Sequence, residues 1–389
     1  MARAPGSLPR TASVVIVGGG VIGTSCAFHL AEAGVEPVVL LERNQLGSGS
    51  SGRAAGGIRA QFSDAINVAL AQRSLSAFAD FRRRPGFEID LHRVGYLFAL
   101  TREEDVPVFE RSVAIQRELG VPSEIVSPQT VRELCPLLSV DDVLAGVFSP
   151  SDGHATPDSV VQGYASGARA HGATLATEAE VVEVVVDGGQ VRAVETADAT
   201  IETGTVICAA GAWSRALGEL AGVELPVTPL LRQILFTEAL PALPPKLPMT
   251  IDFTTSFYFH REGPGVLMGM PAPGERRGFD VELSDEFIPA LLEVAERRAP
   301  QLARVGIKGS WTGYYEMSPD HNALIGEAPD ISRFIYATGF SGHGFLQAPA
   351  VGEVVRDLVL RRAPPIDVSP LSVQRFSDPD ALRPEFNVV

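Results

Sequence analysis

Ser13-Val14-Val15-Ile16-Val17-Gly18-Gly19-Gly20-Val21-Ile22-Gly23 is the stretch on which the fold turns. Apolar residues at consecutive positions leave no polar face, so Val14 to Val17 reads as a strand buried on both sides, as in a parallel sheet. The pattern Gly18-x-Gly20-x-x-Gly23 follows at once. Thr24 to Ala33 then reads as a helix, with Ala27, Leu30 and Ala31 on one face and Gly34 as its stop. Each glycine has its own role in that setting. Gly18 permits the tight turn, Gly20 lets the backbone approach a pyrophosphate, and Gly23 lets the helix lie close to the strand. The free N–H groups and the positive end of the helix face the phosphates. Val38 to Leu41 is a second buried strand, and Glu42 stands at its end, 19 residues beyond Gly23. A carboxylate there binds both ribose hydroxyls and disfavours a 2′-phosphate.

The chain has 389 residues, 45% hydrophobic and 20% charged, enough for two ordinary domains with packed cores. Its 47 acidic against 32 basic residues give a net charge of -15, which disfavours nucleic acid and anionic lipid as partners. No apolar run is long enough for a membrane span. The three cysteines, Cys26, Cys135 and Cys208, lack metal-ligand spacing and are odd in number, so neither a metal site nor a disulfide framework is expected. A reducing, cytoplasmic setting fits. Met1 to Ala12 reads as a disordered tail, because Pro5 and Pro9 break any amphipathic helix and no apolar segment with a cleavage site follows.

Farther along, Asn44 to Gly57 is a Gly/Ser-rich loop, and helices are expected at Asp64 to Arg83 and Asp158 to His171. A meander spans Val181 to Thr203, and Val206 to Gly211 is a buried strand running into a glycine. A block of antiparallel strands (Leu231 to Thr237, Phe257 to His260, Gly265 to Met270) precedes a charged helix, Ser284 to Arg298. Phe334 to Gly339 is another strand ending in glycine, and Pro349 to Arg361 reads as the closing helix. The pattern divides the chain into a nucleotide-binding domain, 13–85 + 150–225 + 325–389, and a second domain, 86–149 + 226–324.

The glycine turn alone leaves NAD and FAD open. FAD is favoured by the polar loop Asn44 to Arg53, suited to an extended dinucleotide, by the late strand Val206 to Gly211, and by Gly339-Phe340-Ser341-Gly342-His343-Gly344, which opens a helix. A helix N-terminus near the flavin ring stabilises the negative charge of its reduced form.

Five ordered motifs go further: Val14 to Gly23 with Glu42-Arg43, Gly56-Gly57-Ile58-Arg59, Cys208-Ala209-Ala210-Gly211-Ala212-Trp213-Ser214, Tyr315 to Asp320, and Gly339 to Gly344. On these the chain resembles, over nearly its whole length, the D-amino-acid-oxidase superfamily of FAD enzymes and more closely its sarcosine oxidase / glycine oxidase branch. The resemblance implies an α/β, two-domain fold: a Rossmann-like FAD-binding domain with an inserted antiparallel β-sheet substrate domain. It implies cofactor contacts at Gly18, Gly20, Val21, Ile22 and Gly23, at Glu42 and Arg43, and at Ser50, Ser51, Arg53, Ala55, Gly56, Gly57 and Ile58. Further contacts are implied at Val181, Ala210, Gly211 and Trp213, and at Gly339, Gly342, His343, Gly344, Phe345 and Leu346. Arg59 would bind a substrate carboxylate through its planar fork, with Gln61 a candidate for the same pocket. Tyr315 would stand at the substrate face of the flavin. Tyr258 and His260 share one face of a strand and are candidates if that face borders the pocket.

The departures are informative too. Relatives that bind flavin covalently use a cysteine where this chain has Gly313, or a histidine in the segment Ser50-Ser51-Gly52, so the FAD is expected to be non-covalent. A carboxylate-assisting lysine is replaced by Leu346. The lysine that helps oxygen react has no counterpart around Arg276-Arg277-Gly278-Phe279, where either arginine is a candidate substitute. The resemblance implies oxidation of a C–N bond of an amino or N-alkylamino acid, with hydride leaving for flavin N5 and an imine formed, and O2 or an electron-transfer partner as acceptor. A 2-hydroxy acid dehydrogenase using His260 as base, or a non-catalytic flavoprotein subunit or assembly factor in a hetero-oligomer, are the alternatives.

Overall fold

The computed structural model describes residues 8–241, 243–275, 277–279 and 285–387. A six-stranded sheet runs in the order Leu324–Glu327, Phe334–Thr338, Val206–Cys208, Val14–Val17, Val38–Leu41, Thr174–Ala176, with only the Leu324–Glu327 edge antiparallel. The consecutive apolar run at its centre is explained by its two covered faces. Val14 and Ile16 join a core with the helix Val21–Glu32, whereas Val15 and Val17 join a core with the four-stranded sheet behind. Each fully buried Val or Ile there contributes roughly 1.5–3 kcal/mol.

That second sheet holds the meander, Val181–Asp187, Gln190–Thr196 and Thr200–Thr203, and at its edge Thr11–Ala12 in parallel pairing. The disordered tail expected through Ala12 is therefore corrected at its end: Thr11 and Ala12 pair with Glu202 and Thr203. The rest of the meander lies where the alternation placed it.

The eight-stranded sheet takes its strands from two stretches of chain lying between those of the first sheet. Its order is Ile307–Met317, Thr228–Thr237, Gly265–Gly269, Phe257–Glu262, Met249–Asp252, Tyr96–Leu100, Ala145–Ser149, Glu124–Val126. It is antiparallel except where Met249–Asp252 runs parallel to Tyr96–Leu100.

The first helix starts at Val21, three residues before Thr24, and three other helices differ from the periodicity as well. Ala65–Ala79 stops short of Arg83; it starts where Asp64 caps it by accepting the Ile66 N–H at 2.9 Å. The charged helix is Phe287–Arg298, and Ser284 lies outside the described residues. The closing helix is Gly344–Val359, five residues earlier than Pro349 would suggest as a first position. Pro349 sits inside it and removes one helical hydrogen bond. Two serines of neighbouring helices serve the disturbed turn: Ser74 accepts from the Ala350 N–H at 3.2 Å, and Ser25 donates to the Ala348 carbonyl at 2.8 Å. The helix thus survives its proline, and its N-terminus reaches the site.

Candidate functional site

A cavity of about 570 Å³ runs from the glycine turn at Gly18–Ile22 to the strands of the eight-stranded sheet. At its first end the chain crosses itself closely. A Cβ on Gly18, where φ is +115°, would lie 2.3 Å from the Ala209 carbonyl, and one on Gly23 would lie 1.9 Å from the Gly18 carbonyl. Gly23 thus serves the crossing rather than the cavity, which it does not line. Glu42 is locked by the backbone, accepting from the Gly19 N–H at 2.7 Å and the Asn44 N–H at 2.8 Å. The expectation of free helix-entry N–H groups is only partly met: the Val21 N–H donates to Ser51 Oγ at 2.9 Å. The Gly20 N–H has no protein partner among the described residues, and Gly20, at the N-cap position, has no side chain to cap the helix it precedes. An unspent donor at an uncapped helix start, in a groove with no room for Cβ atoms, fits a pyrophosphate. Arg43 lies over the Trp213 ring at 4.2 Å, beside Val181, Ala210 and Gly211.

The other end is built from side chains of distant segments. Ser50, Ser51, Arg53, Ala55, Gly56 and Gly57 lead along one wall, and Gly342, His343, Gly344, Phe345 and Leu346 form another, where the closing helix starts without a side-chain cap. At Gly342, φ is +96° and a Cβ would meet the Tyr315 ring at 2.6 Å. The tyrosine therefore packs on bare backbone at the helix entry.

Arg59 lines the cavity and is 3% exposed. Its Nη1 donates to the Gln61 carbonyl, its Nη2 to the Asn387 carbonyl at 2.5 Å, and Nη2 lies 3.4 Å from His343 Nε2. The Phe62 ring lies under it at 4.2 Å. The fork is thus largely occupied by backbone acceptors. Burial first, and then the Arg59 charge, hold the His343 imidazole well below its ordinary pKa, so it is neutral at pH 7.

Tyr258 and Tyr315 both line the cavity, and burial raises the Tyr258 phenol well above its ordinary range. His260, two residues on, does not line it. Its ring nitrogens each lie 2.8 Å from a carbonyl oxygen, of Arg261 and of Ala55, and its ring packs 4.3 Å from that of His154. It is a strut between a strand and the Ala55 backbone, with no nitrogen free for substrate. Gln61 also falls outside: its Nε2 donates to the Val147 carbonyl at 3.3 Å. Ile58 points into the core, and Gly339 forms a turn whose N–H donates to Glu316. Arg277 is exposed and pairs with Leu230 of Thr228–Thr237, whereas Arg276 lies outside the described residues.

Among the lining residues that were not sequence candidates, three carry polar chemistry to the far end: Tyr96, Arg232 and Glu316. The signal for Arg232 was available, since it shares its strand face with Ile234, two residues on, and breaks that apolar alternation. Glu316 accepts from Thr338 Oγ1 at 2.8 Å and the Gly339 N–H at 2.9 Å, and burial still pushes its pKa up to about 7. Among the described residues no group of His, Cys, Asp and Glu could hold a metal, and no helix is long and apolar enough to cross a membrane.

Known proteins share this architecture. Dimethylglycine dehydrogenase, mitochondrial, of Rattus norvegicus is 31% identical over 385 residues, covering 94% of this chain and 45% of its own length. The chain therefore spans about half the length of the curated relatives it matches. Among solved structures, L-proline dehydrogenase from P. horikoshii superposes with a TM-score of 0.89 at 32% identity, covering 95% of this chain and 99% of that one. Glycine oxidase from Geobacillus kaustophilus gives 0.84 at 27%, covering 94% and 99%. The family described as FAD dependent oxidoreductase (DAO) matches residues 13–358, and with its glycine turn, locked Glu42 and uncapped helices this chain belongs to that family of FAD-dependent oxidoreductases.

Proposed function

We propose that this flavoenzyme oxidises the C–N bond of an amino or N-alkylamino acid, giving an imine that hydrolyses in water. One observation carries the reading: the cavity wall combines two guanidinium groups, Arg59 and Arg232, with the hydroxyls of Tyr96, Tyr258 and Tyr315, and its imidazole, His343, is held neutral beside Arg59. Such a wall attracts and orients a carboxylate, and its one carboxyl with a raised pKa, Glu316, is engaged by Thr338 Oγ1 and the Gly339 N–H. A neutral amine carries its own lone pair and needs no base, whereas a 2-hydroxy acid must lose its hydroxyl proton, and the candidate for that role, His260, is tied to two carbonyls. Bound FAD supplies the two-electron acceptor. The relatives support the same class, being named for dimethylglycine, L-proline and glycine.

Within this reading the three stretches that form the six-stranded sheet carry the cofactor, and the eight-stranded sheet carries the substrate wall. The FAD is held without a covalent bond: no cysteine lines the cavity among the described residues, and at Gly313 a Cβ would lie 2.7 Å from Arg53 Cβ. The three cysteines are unpaired and buried, which supports a reducing compartment. The acceptor of the electrons is O2 or a partner protein in a hetero-oligomer.

Anaerobic mixing with matched amines, amino acids and hydroxy acids tests the reading. Bleaching of the flavin band by carboxylated amines is expected, and recovery under air identifies an oxidase. Bleaching by hydroxy acids alone, or by nothing, overturns it.

A further inference from the structure

We propose that Arg232 is the group that receives the substrate carboxylate, by exchange with Glu275. The inference deepens the amino-acid reading above and rests on it.

Of the four arginines that line the cavity, Arg43 stacks on Trp213 and Arg53 lies along the Ser50–Gly57 wall, and the other two, Arg59 and Arg232, differ in how their donors are spent. Arg59 gives Nη1 and Nη2 to the carbonyls of Gln61 and Asn387, and a ligand could claim them only by dislodging backbone. Arg232 donates one hydrogen bond among the described residues, from Nη1 to the Glu275 carboxylate; its Nε and Nη2 have no protein partner there. Its side chain is 16% exposed and lies over the Tyr315 ring at 5.0 Å. Across the sheet it pairs with Gly313, whose missing side chain makes room for the Arg53 stem.

Glu275 is the replaceable member of the pair. Its side chain is 34% exposed, so on release its charge returns to water at small cost. Replacing it with a substrate carboxylate keeps the charge beside Arg232 unchanged and adds the bidentate geometry that the unspent Nε and Nη2 allow. Tyr315, packed on Gly342 at the entry of the closing helix, then lies between the bound carboxylate and the helix N-terminus. The ligand class is a monocarboxylate carrying the reacting amine. Arg59 acts as a positioning residue, holding the Gln61–Asn387 contact and the neutral His343.

The test is equilibrium binding to the FAD-loaded enzyme, followed by perturbation of the flavin band and by calorimetry, with propionate as probe and propionamide as its neutral control. Wild type should prefer propionate. Arg232→Gln should weaken propionate about 10- to 100-fold, the loss expected when charge-assisted hydrogen bonds are removed, and leave propionamide unchanged. Glu275→Gln, which removes the competing anion on an exposed loop, should strengthen propionate binding. Unchanged propionate affinity in Arg232→Gln, or weaker binding in Glu275→Gln, overturns the assignment. Its failure is distinct from failure of the functional reading. If carboxylated amines bleach the flavin and Arg232→Gln still binds propionate normally, only the assignment falls. If no carboxylated amine bleaches the flavin and wild type shows no preference for propionate, both fall.

Discussion

The two ends of the cavity are built on different principles. At the nucleotide end the ligand surface is backbone: the turn from Gly18 to Ile22, held by a crossing with Ala209 that leaves no room for a Cβ on Gly18 or Gly23, with a carboxylate locked by two N–H groups. At the substrate end the surface is side chain, with Arg59, Tyr96, Arg232, Tyr258 and Tyr315 arriving from separate segments. Backbone surfaces tolerate no substitution but bind every molecule carrying the same phosphate chain. Side-chain surfaces can be changed one group at a time, so substrate choice resides there. Cofactor loss and substrate loss should therefore separate cleanly by mutation.

The largest effect is expected at the crossing. Gly18→Ala forces a Cβ against the Ala209 carbonyl at a positive φ, and should abolish flavin content, read as the ratio of flavin to protein absorbance. Full flavin content in this variant would contradict the division between the two ends.

The next concerns what props the substrate end. Glu385 is 2% exposed and accepts from the Ser63 N–H at 2.8 Å, Ser63 Oγ at 2.6 Å, and Asn67 Nδ2 at 2.9 Å. Glu385→Ala leaves the Ser63 N–H and Oγ without this acceptor, strips Asn67 Nδ2 of one of its two acceptors, and should cost about 3–5 kcal/mol in thermal or denaturant unfolding. Because Asn387 follows on the same segment and holds Arg59, KM for a carboxylated substrate should rise while purified protein keeps its FAD. Loss of flavin instead would show the ends to be coupled.

A third prediction concerns Glu316, at the junction of the two sheets. Its pKa rises from the ordinary 4.5 to about 7 because burial disfavours the anion. The folded state therefore binds its proton more tightly than the unfolded state, and stability falls as pH rises from 4.5 through 7, by about 3 kcal/mol in all. Above 7 this contribution is flat. Glu316→Gln should remove the slope between about pH 5 and 7, as measured by urea unfolding of the flavin-free protein; an unchanged slope assigns the dependence elsewhere.

The smallest effect belongs to Glu42. Glu42→Gln keeps the side chain's shape but removes its charge, so FAD affinity should fall about tenfold, the value of one charge-assisted hydrogen bond. Reconstitution titrations of stripped protein measure it, and substrate KM at saturating FAD should not move.

Legibility in the sequence follows the same division. The four central strands of the six-stranded sheet could be read because they are short apolar runs, three of them leading into glycine, whereas its edge strands Thr174–Ala176 and Leu324–Glu327 were not; Gly18, Gly20 and Glu42 could be read because their spacing lies within one β-turn-α-β unit. Pro349 misled the reading of the closing helix, since Ser25 and Ser74, which stabilise the disturbed turn, lie about 270 residues or more away in sequence. His260 and Gln61 misled for a related reason: strand alternation gives the face a residue occupies, but not whether a carbonyl from another segment already holds it. Arg232 left only a break in strand alternation, which does not tell a pocket-facing charge from a solvent-facing one.

The cofactor half of this protein follows from the order of its residues alone, because a phosphate-binding turn is local: a few residues close in the chain set both its conformation and its donors. The substrate half takes shape only in the folded chain. Whether a guanidinium is spent or available depends on which carbonyls and carboxylates the fold brings within hydrogen-bonding reach. Arg59 and Arg232, alike as residues, differ through Asn387 and Glu275, which only folding brings beside them.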